Sequence, residues 1–188
     1  MSARRQQGFT LIELVVVIII ISGLLYFAFD RLLKLEVQAE RASMAQVIGN
    51  INSALAMVIS KHIAQGNITG LNKYIDSNPM DLMAQTPPSY LGSFSGQPPQ
   101  LAKGQAWYFD QQAHSLVYVT GSPQYFKSDG PKKSVTQLKI LPVYDDNNGN
   151  GFFDAGDKLV GLKLAATAPY HWHTNPIKPA DYASAATH

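Results

Sequence analysis

Residues 9–29 form an apolar run, FTLIELVVVIIIISGLLYFAF, whose single charge is Glu13. At about 1.5 Å of rise per residue, a helix of this length crosses a hydrocarbon core roughly 30 Å thick. The apolar pattern then continues in a sparser form. Leu32, Leu33, Leu35, Val37, Met44, Val47, Ile48, Ile51, Leu55 and Val58 recur at spacings of three and four between polar residues. That is the period of an amphipathic helix. Gly49 is a weak interior position, costing up to about 1 kcal/mol relative to alanine, and Gly66-Asn67 supplies a stop. The pattern predicts one helix from about residue 9 to about residue 64, apolar all round in its first half and one-sided in its second.

Between residues 66 and 104 the pattern lapses into a long connection carrying Pro79, Pro87, Pro88, Pro98 and Pro99. Short helical turns are expected near residues 70–75 and 79–84. Alternation of period two follows at 106–110 (AWYFD), 115–120 (SLVYVT), 135–144 (VTQLKILPVY) and 158–165 (KLVGLKLA). The first two strands flank a short turn and read as a hairpin. The fold class is therefore α+β: a long N-terminal helix packed on a C-terminal antiparallel meander of about four strands. The domain reading is a leader over 1–8, a spine helix over 9–65 with 9–29 spanning a membrane, and a head over 66–188. Within that head the connection occupies 66–104 and the sheet 105–175. Trp107, Tyr108 and Tyr118 are expected to be packing residues. The tail beyond Thr174, rich in proline and alanine, has the composition of a poorly ordered end.

Composition adjusts this picture modestly. The 188 residues leave room for one modest head plus the helix, and the charged share is only 15%. Formal charge is +2, but Arg4 and Arg5 lie before the apolar run, and without them 13 residues of each sign remain. No basic surface of the kind nucleic acids require is foreseen. Cysteine is absent, so packing, a metal or assembly must do what disulfides often do in small exported domains. No nucleophile elbow, phosphate loop or triad signature appears, so no enzymatic activity is expected.

Glu13 is the residue that needs explaining. A carboxylate at bilayer depth costs roughly 2.5–3.5 kcal/mol on insertion scales. Cleavage after Gly8 would place a positive α-amino group on Phe9, four residues from Glu13. That amine, on the same chain or on a neighbouring one, is the natural partner, and such a pair would set the register between subunits. An ordinary secretory signal has a shorter apolar core and a small-residue cleavage site after it. A plain signal anchor agrees with Arg4 and Arg5 on the cytoplasmic side but gives no account of Glu13 or of Gly8-Phe9.

Gly8 followed by FTLIELVVVIIII resembles the processing site and N-terminal helix of type IV prepilins and type II secretion pseudopilins. The resemblance covers about the first quarter of the chain. It implies that a prepilin peptidase cuts between Gly8 and Phe9, that Phe9 is N-methylated, and that Glu13 aligns subunits in a filament. It also implies an inner-membrane precursor with its N-terminus in the cytoplasm and its head in the periplasm, which then passes into a filament. The implied partners are other pilins (homo- or hetero-oligomeric), the peptidase, the inner-membrane assembly machinery and the membrane itself. Two departures stand out: Asp30, where many members carry proline, and the lack of the C-terminal disulfide of many type IV pilins. The expected role is a structural subunit of a type IV pilus-like filament, with a lean toward a minor or mannose-sensitive-haemagglutinin-type pilin. The alternatives are a secretion pseudopilin and, from another class, a signal-anchored periplasmic binding or sensor domain.

Between the third and fourth expected strands lies DNNGNGFFDAGD. Against the twelve-residue calcium loop, Asp146 takes position one, Asn148 three, Asn150 five and Gly151 six. Phe152 offers its carbonyl at seven, Asp154 stands at nine and Asp157 at twelve, where Glu is usual. Three carboxylates in one short loop favour a bound cation, and Ca2+ is the expected cofactor. A long turn, for which Asn-Gly pairs are themselves signals, is the competing reading. His171-Trp172-His173 could supply half of a zinc site, but no cysteine or carboxylate cluster accompanies it, and a surface or packed strand end is expected.

Overall fold

A computed structural model describes residues 9–96 and 104–178. A single α-helix, α1 (Leu11–Ala64), opens the described chain and runs unbroken through position 30. It ends where expected: Gly66 takes a left-handed φ of 64°, which only glycine adopts at little cost. By its contacts the chain falls into two compact units, Met1–Ala39 and Glu40–His188.

In the first unit the large apolar side chains of α1 from Leu11 to Leu35 are exposed. It carries the one stretch of helix, among the described residues, that is long and apolar enough to cross a membrane, and none of that stretch is buried within the protein. Thr10 caps the helix start, its Oγ1 and backbone carbonyl both accepting from the Glu13 N–H, at 3.3 and 3.1 Å.

In the second unit the remainder of α1 buries a stripe, Met44, Val47, Ile51 and Leu55, with the spacing of one helix face. The stripe packs on a five-stranded sheet. Its strands are β1 (Tyr90–Phe94), β2 (Ala106–Asp110), β3 (Ser115–Val119), β5 (Val135–Asp145) and β6 (Lys158–Ala166), in the order β1-β2-β3-β5-β6. From β2 to β6 the sheet is the expected antiparallel meander. Trp107 pairs with Tyr118, Leu116 with Leu138, and Ile140 with Leu164. These registers place Trp107, Leu116, Tyr118 and Leu138 in one cluster with Met44, Val47 and Ile51. Leu55 packs further along with Leu71, Ile140, Leu159 and Leu162. Trp107, Tyr108 and Tyr118 are all buried, as packing residues should be.

Three elements exceed the sequence expectation. β1 lies in the stretch read as connection and pairs parallel with β2, with an irregular register between Tyr90 and Ser93. Gly92 there has φ 101°, a conformation that breaks the alternation by which a strand is recognised. The second sheet consists of β4 (Phe126–Ser128) and β7 (Tyr170–Trp172), each too short to show a period. Phe126 is fully buried there, with its ring centroid 5.6 Å from Tyr170 and 5.0 Å from Trp172. Trp172 thus packs at a strand end, as expected for the His171-Trp172-His173 segment. The two short helical turns are 3-10 turns at Ile68–Tyr74 and Pro79–Leu82, started by the side chains of Asn67 and Asn78.

Candidate functional site

At the N-terminus, Gly8 lies outside the described residues. Phe9 is exposed and Glu13 is also exposed, in the first turn of α1. Thr10 stands at the Ncap position and Glu13 at N3, and the Thr10 side chain accepting from the Glu13 N–H fixes the helix start just inside Phe9. The spacing Thr-x-x-Glu is visible in the sequence, and it is a structural role for this segment that the charge argument alone passes over. Placing Glu13 at N3 also sets its negative charge at the positive end of the helix dipole.

The loop between β5 and β6 is held by its own side chains. Asp146 accepts the Gly149 N–H at 2.7 Å on Oδ1 and the Gly151 N–H at 2.8 Å on Oδ2. Asp157 accepts the N–H of Asn147 at 3.1 Å and of Asp154 at 3.0 Å. Asn148 and Asn150 each accept the N–H two residues on, and both donate through Nδ2 to Asp154 Oδ2, at 2.9 and 2.7 Å. The Gly156 N–H, then these two amides, hold the Asp154 carboxyl below its usual range. Gly151, at the position requiring the sharp turn, has φ 78°. Tyr144 donates to the Gly151 carbonyl at 3.1 Å, and Phe152 projects outward, 76% exposed.

The donor types are those of a hard cation, carboxylate and amide oxygens at alternating positions, and each oxygen engaged by one N–H keeps a second lone pair. Among the described residues, no three His, Cys, Asp or Glu side chains are drawn together into a metal-holding group. Here the carboxylates are instead separated by intervening N–H donors, which relieves their mutual repulsion.

A third constellation was not foreseen. Glu40 of α1 is 2% exposed, a buried carboxylate in the core of the second unit. Its Oε1 accepts from Tyr118 Oη at 2.8 Å, Thr120 Oγ1 at 2.7 Å and Gly121 N at 2.8 Å. Its Oε2 has no hydrogen-bond partner among the described residues. Burial, then the bond to Glu40 and its charge, push the Tyr118 hydroxyl far above its ordinary value. One signal could have revealed it: positions 40, 44, 47, 51 and 55 are a single helix stripe, and Glu40 occupies an apolar slot of it.

These features define a class: an α+β protein whose apolar N-terminal helix fits a membrane anchor, followed by a sheet-bearing head in the pilin-like arrangement. Residues 3–22 match the prokaryotic N-terminal methylation motif, a stretch containing Gly8, Phe9 and Glu13. The match supports, over this segment, the resemblance to type IV prepilins and pseudopilins. No curated protein and no solved structure matches the chain.

Proposed function

We propose that this chain is a structural subunit of a type IV pilus-like filament, made as an inner-membrane precursor, cut between Gly8 and Phe9 and N-methylated on Phe9. The observation that supports this reading above others is the methylation motif over residues 3–22, set at the head of a helix whose apolar stretch is not buried against any of the described residues. A surface of that kind needs lipid or other helices around it. The precursor has the first, and a filament core supplies the second.

Glu13 performs the pairing. Once Phe9 carries a free cationic amine, that charge and the Glu13 carboxylate attract strongly in a low-dielectric core, and a neighbour shifted along the filament leaves both unpaired. Glu13→Ala is expected to be cleaved normally but to accumulate as monomer in the membrane, read by filament shearing and immunoblotting. Normal filament yield from this variant would remove the pairing role.

The pseudopilin of a type II secretion system is the second reading. It is favoured by a head without cysteine and by the acidic loop between β5 and β6. Loss of surface filaments on deletion supports the pilus, and loss of protein secretion supports the pseudopilin. For that loop we propose Ca2+ held by Asp146, Asn148, Asn150, the Phe152 carbonyl, Asp154 and Asp157. Its role is to fix the loop of a disulfide-free head, and no catalytic step is assigned to it.

A further inference from the structure

We infer that Asn148 and Asn150 are latent deamidation sites, kept intact by the carboxylate of Asp146. Both are followed by glycine, and an exposed Asn-Gly pair is the dipeptide most open to this chemistry, because no side chain shields the glycine nitrogen. The glycine N attacks the asparagine Cγ; the N–Cγ bond forms, the Cγ–Nδ2 bond breaks, and ammonia leaves with the proton taken from the glycine nitrogen. Water then opens the five-membered imide at either carbonyl, giving aspartate or isoaspartate. The overall change is an amide and a water converted to a carboxylate and ammonium.

The loop blocks the first step at both sites. The two nucleophiles are the nitrogens of Gly149 and Gly151, and both N–H groups are donated to one carboxylate, Asp146, at 2.7 and 2.8 Å. Charge-assisted bonds of this length hold the proton in place and fix the nitrogen's direction. The electrophiles are held as well, since Asn148 and Asn150 both point Nδ2 at Asp154 Oδ2. Reaction at either residue puts a new carboxylate where that amide stood, facing Asp154. The loop then loses a bond and gains a repulsion, so the first event loosens the loop. Asp146 therefore acts as a guard on the loop's covalent lifetime, a role independent of any bound cation.

The test uses the full chain in detergent with a chelator present, aged at mildly alkaline pH and followed by peptide mapping with isoaspartate detection. A free peptide of the loop sequence sets the unprotected rate. The wild-type chain is expected to deamidate at both sites about tenfold or more slowly than the peptide, the factor that loss of one charge-assisted hydrogen bond removes. Asp146→Ala should bring both sites close to the peptide rate. Asp157→Ala disturbs the same loop but leaves both glycine N–H groups on Asp146, and it should keep most of the protection. Should the alanine variant at 146 not fold, Asp146→Asn, which retains shape but loses charge, must still accelerate the reaction. A wild-type rate equal to the peptide's, an unchanged rate without the Asp146 carboxylate, or equal acceleration by Asp157→Ala would overturn the inference.

Discussion

Removing the Glu40 carboxylate should destabilise the head far more than its position on a helix would suggest. In Glu40→Ala, two buried hydroxyls, of Tyr118 and Thr120, and the part-buried Gly121 N–H lose their common acceptor. Each stranded buried donor costs about 1–3 kcal/mol, and the Gly121 N–H less, because water can reach it. Against this stands the relief of a buried charge whose second oxygen lacks a partner among the described residues, a desolvation cost of several kcal/mol. The balance is a loss of about 3 kcal/mol, near the upper end of what single substitutions cause. For a chain of this size that corresponds to roughly 6–12 °C in Tm. Unfolding of the full chain in detergent can be followed through Trp107, which is 1% exposed in the same core. A cycle with Tyr118→Phe isolates the link, and a coupling of about 1–2 kcal/mol is expected for groups in direct contact. A Glu40→Ala chain within about 0.5 kcal/mol of wild type, or strict additivity with Tyr118→Phe, would show that Glu40 does not anchor these donors.

Two further outcomes are expected. Because the folded head holds Tyr118 protonated well above its ordinary value of 10.0, this residue's contribution is fully present below that pH. It declines above it, where the unfolded chain ionises first; Tyr118→Phe should flatten the alkaline fall in Tm, and an unchanged slope would contradict the burial and the Glu40 contact that keep this hydroxyl protonated. Chelation, or Asp146→Ala combined with Asp157→Ala, should lower the Tm of the head in calcium-containing buffer, and an unchanged Tm would return the loop to a plain turn.

Much of the architecture was legible because it rests on periodicity. The stripe from Met44 to Leu55, the Gly66 stop and the four strands from β2 to β6 all follow from patterns of three, four and two. What escaped lacks a period. β1 is broken by Gly92, and β4 and β7 span three residues each. Of the candidate sites, Glu13 was visible as a charge in an apolar run, while the Thr10 cap on its N–H is a matter of helix-end geometry. Glu40 escaped because its partners lie 78–81 residues away in sequence. A glutamate on a helix ordinarily faces solvent, and only its position on the buried stripe argued otherwise. The loop at 146–157 was found by its spacing, but the sharing of Asp146 between Gly149 and Gly151 is a three-dimensional fact.

Processing at the N-terminus is read most directly from the intact mass and first residue of the protein recovered from its native membrane. A chain beginning at Phe9 with a methyl group on its amine is expected. A chain that keeps residues 1–8 in cells with an active prepilin peptidase would contradict it and leave the apolar helix as a plain anchor.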